Sequence, residues 1–305
     1  MTSEREFVRQ LQRDFPARPP VEVGIGDDGA VLQGEGRQIV VADMLLDGRH
    51  FRTEQDPPEQ IGRKSIAVNL SDLAAMGARP TAAFVSVAFS RNQTNGTEFI
   101  AGLYRGIAEI CEQYEVTLAG GDTNSWDGPF VINVTLIGEP FGRHPILRST
   151  ARVGDLVFVT GALGGSFSTG HHLTFSPRLP EIEWLIRNDL LPTSLMDISD
   201  GLAVDLHRLA EASGVGATIH AEQIPISERV PADQSDEARL QQALGDGEDF
   251  EFLGTICEET YRRLVHGDPP PFKFIPIGVV TEANDILLHQ AGTSRPLPAD
   301  GWQHL

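Results

Sequence analysis

Aspartate recurs in this chain at one kind of place, where an apolar run meets a turn or a helix start. GIGDDGAVL (24–32) sets Asp27 and Asp28 side by side between glycines. VADMLLDGRHF (41–51), NLSDLAAMGA (69–78), LAGGDTNSWDG (118–128), MDISDGLAVDL (196–206) and LGDGEDFEF (244–252) repeat the arrangement. Singly, each has a bland reading. Asp72 and Asp200 stand where helices begin, a position at which Asp caps free N–H groups, and Asp122 and Asp127 suit turns. Jointly they imply chemistry, because several follow strand-like runs and strand ends meet along one edge of an α/β sheet. Two like charges about 4 Å apart cost roughly 4 kcal/mol at an effective dielectric near 20. Converging carboxylates are therefore protonated or neutralised, and a ligand set of oxygen alone favours a hard ion such as Mg²⁺. Such an ion presents nucleotide phosphates.

Composition narrows the partners. With 24 Lys and Arg against 43 Asp and Glu, the formal charge is −19, which argues against the basic face that nucleic acid or an anionic membrane requires. Only two lysines occur, Lys64 and Lys273. A phosphorylated substrate would then need divalent cations to invert the local field. The two cysteines, Cys111 and Cys257, form no C-x-x-C pair and suit a reducing cytoplasm. The charged N-terminal stretch is unlike a signal peptide, and no apolar run approaches the roughly 18 residues of a membrane span. No G-x-x-x-x-G-K-[ST] is present, nor H-E-x-x-H, nor G-x-S-x-G. A calcium loop from Asp122 fails, with Trp126 in the fifth place and Asn133 in the twelfth. GALGGS (161–166), after a strand, is either a plain turn or a phosphate cradle of backbone N–H groups.

The elements that must position these residues alternate. Periodicity predicts helices over 4–15, 59–77 (one or two segments), 97–115 and 199–214. Strands are expected at 37–45, 81–89, 116–122, 130–140, 155–163, 217–226, 250–256 and 272–280. PFGRHPILRSTARVGD (140–155) has turn residues and no sustained period. It places a boundary between one domain at 1–145 and a second at 146–305. Composition and alternation fit an α/β or α+β protein.

The motifs GIGDDGAVL, AD-x-L-x-DGRHF, GRKSIAVNLSDLAAMGARP, LAGGDT, RVGDLVFVTGALG, DISDGLAVDL and GDGEDFEF follow one another in the order and spacing of the thiamine-monophosphate kinase family. The resemblance runs from residue 5 to 302. NLSDLAAMGA is shared in looser form with aminoimidazole ribonucleotide and selenophosphate synthetases; DISDGL, GEDFE and the histidine of DGRHF mark the thiamine-monophosphate branch. The resemblance implies an α/β (α+β), two-domain PurM-like fold, in which the N-terminal sheet pairs with its copy across a homodimer and a second α/β domain packs behind. It implies transfer of the γ-phosphoryl group of ATP to thiamine monophosphate, assisted by several Mg²⁺ ions and giving thiamine diphosphate. By motif position the metal ligands would be Asp28, Asp43, Asp72, Asp122, Asp197 and Asp200, with Asp27 adjacent. Tyr104, Gly121, Asp122, Arg148 and Ser199 match ATP-contacting positions. His50, Glu248 and Trp302 match substrate-side positions. No catalytic general base is implied, since a phosphate monoester with a second pKa near 6 is already a nucleophilic dianion.

Three departures stand out. Ala42 replaces the hydroxyl residue usual before the metal-binding Asp, Asp246 replaces a glycine, and 166–196 is short. Two other readings remain open: an ATP-using superfamily member with another acceptor, and a non-catalytic Mg²⁺–nucleotide-binding relative. Selenophosphate synthesis is disfavoured as the first, because an early reactive Cys next to a Gly-rich N-terminal segment is absent.

Overall fold

A computed structural model describes residues 6, 9, 12–14, 16–34, 36–91 and 96–302. The expected helix at 4–15 lies largely outside the described residues.

The first sheet has six strands, β1 (Val21–Val23), β2 (Ala30–Gln33), β3 (Arg37–Leu46), β4 (Ala78–Ser90), β5 (Thr117–Trp126) and β6 (Val131–Pro140), in the order β1-β2-β3-β6-β4-β5. Two helices, α1 (Pro58–Ala75) and α2 (Gly96–Gln113), cross over between the strands. One face of the sheet, carrying Ile39, Val41, Leu45, Val85, Ile132, Val134 and Leu136, is buried. On the other, Met44 and Phe84 are 57% and 40% exposed, and every residue of β5 is exposed. Strand alternation makes the two faces chemically different surfaces.

Helix α1 explains why its period was ambiguous. Thirteen of its 18 residues are buried, so it has no solvent stripe to generate a clean 3.6-residue signal. It lies between the first sheet and the second unit. Its approach to α2 is close: a Cβ on Gly62 would stand 2.0 Å from the Leu103 carbonyl oxygen, and one on Gly106 1.8 Å from that of Glu59. Only glycine allows this spacing.

The second sheet has seven strands: β7 (Leu156–Val159), β8 (Ser194–Asp197), β9 (Gly216–His220), β10 (Phe252–Ile256), β11 (Ile275–Thr281), β12 (Ile286–Gln290) and β13 (Thr293–Pro296). Their order is β13-β12-β9-β11-β7-β10-β8. Helices α3 (Leu179–Arg187), α4 (Leu202–Ser213), α5 (Asp236–Gly245) and α6 (Glu258–His266) surround it. Alternate residues face two cores. Val157, Val159, Met196 and Leu253 pack with α4 and α5, whereas Phe158, Leu195 and Phe252 join the core that contains α1. The polar stretch 227–235 leads into α5, where the Ser235 side chain accepts from Ala238 N–H at 3.3 Å. Among the described residues no helix is long and apolar enough to cross a membrane.

Candidate active site

Between the two units lies a cavity of about 1290 Å³. Its acidic end draws on four elements. Asp27 and Asp28 sit in the turn between β1 and β2, Asp43 on β3, Asp72 in the C-terminal half of α1, and Asp197 at the end of β8. One carboxylate oxygen from each of Asp28, Asp72 and Asp197 lies within 4.8 Å of the other two.

Little in the fold neutralises them. Burial raises the pKa of Asp72 well above the usual carboxylate range, and the neighbouring charges of Asp43, Asp197 and Asp28 raise it further. Asp197 is pushed up in the same way by burial and Asp28, although it accepts from Ser71 Oγ at 2.6 Å. Burial and Asp28 raise Asp27 to about 6. Arg148 is the principal counter-charge, hydrogen-bonded to Asp28 and 3.7 Å from Asp27. Burial disfavours its charged form, but the two aspartates together hold its pKa above the ordinary value. The second oxygen of Asp28, Oδ2, is buried and has no hydrogen-bond partner. An orphan buried oxygen among crowded carboxylates fits a hard cation with oxygen ligands.

The wall beside Lys64, about two turns along α1 from Asp72, carries His50 and Glu248, and Trp302 lines the cavity beside Asp200. His50 Nδ1 accepts the Leu46 N–H at 2.9 Å, which fixes the turn after β3. Glu248 meets Lys64, whose Nζ lies 2.7 and 2.9 Å from its two oxygens. Trp302 donates its backbone N–H to the Asp200 carbonyl at 2.9 Å, tying the C-terminal stretch to the start of α4.

Several expectations are corrected here. Asp72 is not a helix cap; it lies inside α1, a single helix that begins at Pro58. Asp200 does not cap α4 either. Asp205 does, its Oδ2 accepting from the N–H groups of Ser199, Asp200 and Gly201 at 3.1, 3.1 and 3.2 Å, while Asp200 pairs with Arg208. GALGGS offers no free phosphate cradle at its glycines. Gly164 N–H donates to Asp249 and Gly165 N–H to Asp246, each at 2.9 Å. Asp246 thus satisfies a loop besides adding charge at the cavity wall.

The acids also do not converge along one sheet edge within the chain. Register places Asp43 opposite Val134, Val134 opposite Val85, and Val85 beside Gly121, all on the helix-covered face. Asp122 falls in the next row, with Met44, Asn133 and Ser86, on the open face. Three strand spacings, about 14 Å, separate β5 from β3. Asp122 and Gly121 are exposed and line no part of the cavity; Tyr104, half-buried on α2, packs against the first core. Gly121 has a local reason to be glycine, since a Cβ there would stand 1.7 Å from the Val85 carbonyl oxygen. Asp43, Ser199 and Asp200 do line the cavity, as does Ala42.

Comparison with known proteins resolves the family. The AIR synthase related protein models match in both halves, the N-terminal domain over residues 26–139 and the C-terminal domain over 152–261. A thiamine-monophosphate kinase of Rhodopirellula baltica is 40% identical over 267 residues, covering 84% of this chain and 83% of the relative. The chain belongs to the thiamine-monophosphate kinase family. The Bacillus subtilis thiamine-monophosphate kinase is 34% identical over 93% of this chain and 94% of its own length. A solved structure of AaThiL complexed with AMPPCP and TMP superposes with a TM-score of 0.84 at 26% identity, covering 99% of this chain and 97% of that one. The two-domain PurM-like fold expected from the motifs is therefore the fold observed.

Sequence reading passed over residues that shape the site. Lys64, Arg208 and Asp205 were not singled out for it. Lys64 had a usable signal, one of only two lysines in the chain, with Ile61, Ala67 and Val68 one helical turn away. Arg208 and Asp205 had none beyond an ordinary helical pattern.

Proposed function

We propose that this chain transfers the γ-phosphoryl group of ATP to the phosphate of thiamine monophosphate, producing thiamine diphosphate. The observation that carries the reading is the crowding of Asp28, Asp72 and Asp197 at a cavity that His50, Glu248 and Trp302 also line, in a chain of this family.

Asp28, Asp72 and Asp197, with Asp43 and Asp200 beside them, would hold Mg²⁺. When bound, Mg²⁺ neutralises phosphate oxygens and aligns them for in-line displacement. The protein's own groups do the rest. Arg148, already drawn to the acids, is placed for a bidentate phosphate contact. Ser199, beside the N-terminus of α4, adds a further donor. The acceptor dianion needs no proton removed, so the site needs no general base. Trp302 offers a face for a flat cationic ring.

Asp122, Gly121 and Tyr104 belong to this reading through a second subunit. An open sheet face with Met44 and Phe84 exposed, bordered by a fully exposed edge strand, favours pairing with a copy of itself. A homodimer formed there lets β5 of one subunit complete the metal and ATP site of the other. The division into domains 1–145 and 146–305 is part of the same reading, supported by two sheets and by family matches that stop at 139 and resume at 152. A cytoplasmic setting follows from the substrates.

Purified protein incubated with ATP, Mg²⁺ and candidate acceptors tests the proposal. Thiamine diphosphate is expected with thiamine monophosphate alone. Phosphorylation of free thiamine instead, or ATP turnover indifferent to either, would exclude it.

A further inference from the structure

We propose that Lys64 is a positioning residue for the acceptor end of the cavity, acting through Glu248 and the His50 turn; this rests on the kinase reading above. Its side chain is entirely buried. The ammonium has three hydrogens and makes three contacts: the His50 carbonyl oxygen at 2.6 Å, and the two Glu248 oxygens at 2.7 and 2.9 Å. Its donor capacity is filled.

Burying an ammonium is costly, and a well-packed apolar side chain of similar volume commonly does as well for stability. Helix packing alone thus gives no reason for a charge at this position. What the charge does is join three segments that packing leaves separate. His50 lies on the turn after β3, Lys64 on α1, and Glu248 on the loop that precedes β10 in the second unit. Glu248 and Phe250 both have backbones in the left-handed region, with φ of +53° and +52°. Non-glycine residues hold such conformations only where surroundings over-determine them. Two bonds fix the Glu248 backbone, its N–H to the Ser199 carbonyl at 2.7 Å and Ser166 Oγ to its carbonyl at 2.6 Å. Lys64 fixes the carboxylate. With that carboxylate bound at both oxygens and lining the cavity, its orientation toward an incoming acceptor is set before the acceptor arrives. Preorganisation of this kind favours binding by removing the ordering cost.

The test measures steady-state kinetics for the full-length protein, K64M, E248Q and the double variant K64M/E248Q, varying thiamine monophosphate and ATP in turn. K64M is expected to raise the acceptor KM roughly tenfold or more, the scale of one lost charge-assisted contact, while the ATP KM changes less than about twofold. Because Lys64 acts through Glu248, the double variant should be no worse than about twofold beyond E248Q. Equal rises in both KM values, or losses that multiply in the double variant, overturn the proposal. If K64M does not fold, Lys64→Arg, which keeps the charge but displaces its donors, carries the test: an acceptor KM within about twofold of the wild-type value overturns the proposal, and a raised acceptor KM with the ATP KM retained upholds it. A wild-type protein that leaves thiamine monophosphate untouched overturns the kinase reading itself; an active wild type with an unaffected K64M overturns only the role of Lys64.

Discussion

The two ends of the cavity handle buried charge in opposite ways. At the acidic end, three carboxylates crowd within 4.8 Å with one principal cation among them, and their pKa values are pushed up. At the other end a single carboxylate, Glu248, meets a dedicated lysine and the charge is settled internally. Uncompensated charge marks the place where a ligand must bring the compensation. Compensated charge marks the place where shape and orientation matter. Both ends rest on α1, Asp72 in its second half and Lys64 in its first, so one rigid helix sets the distance between them.

The contrast can be broken most severely at Asp72. Asp72→Asn should lower turnover by roughly a hundredfold or more, the scale seen when one transition-state charge stabiliser is removed. The same substitution relieves repulsion and should raise the melting temperature in metal-free buffer by about 2–4 °C for each kcal/mol gained. Scanning calorimetry with chelator would check this; a variant less stable than wild type would mean that Asp72 has a structural role.

Subunit mixing sharpens the placement of Asp122. Asp72→Asn and Asp122→Asn are each expected to be nearly inactive alone. When they are mixed and allowed to exchange, half the dimers are mixed, and each mixed dimer keeps one intact site if Asp122 serves the partner. About a quarter of wild-type activity should then return. No recovery on mixing would place both residues in one subunit's site.

The smallest effect concerns pH, and its sign differs between the ends. The raised carboxylates bind protons in the folded state that the unfolded chain has released, so their stabilising contribution falls as pH rises through the interval between the unfolded and folded pKa values. His172 behaves in reverse. It lies behind the acceptor end, stacked on Phe167 with ring centroids 4.4 Å apart. Burial pushes its pKa down to about 4, and the charge of Lys64 adds to this. Between about 6.5 and 4 the unfolded chain binds the proton and the folded chain does not, so stability should fall as pH falls. Urea midpoints for wild type and His172→Phe across that window should diverge toward acid pH. Parallel curves would remove His172 from the account.

Much of the architecture was legible beforehand. Strands β3, β4 and β6 and helix α2 came within a few residues of their observed limits, because each carries a strong period of two or 3.6. Helix α1 was harder, since burial on all sides erases the stripe. The bland alternative for Asp200 was a cap, because caps are inferred from a residue's place before a helix. The fold instead used Asp205, one turn inside, reaching back to three N–H groups. The GALGGS turn was left open for a related reason: whether its N–H groups await a ligand depends on carboxylates some 80 residues away.

What the sequence determined by itself was the inventory and its family: the acids, their order, the alternating elements, and the motifs that tie them to thiamine-monophosphate kinases. What only the tertiary structure decided was which of those groups meet. Strand register, whose parity sends each side chain to one face or the other, put Asp122 on the open face and Asp43 on the covered one. Packing of two units around one buried helix brought Lys64 to Glu248 across 184 residues. Neither outcome is written in local pattern, because both arise from contacts between segments that carry no information about each other until they fold together.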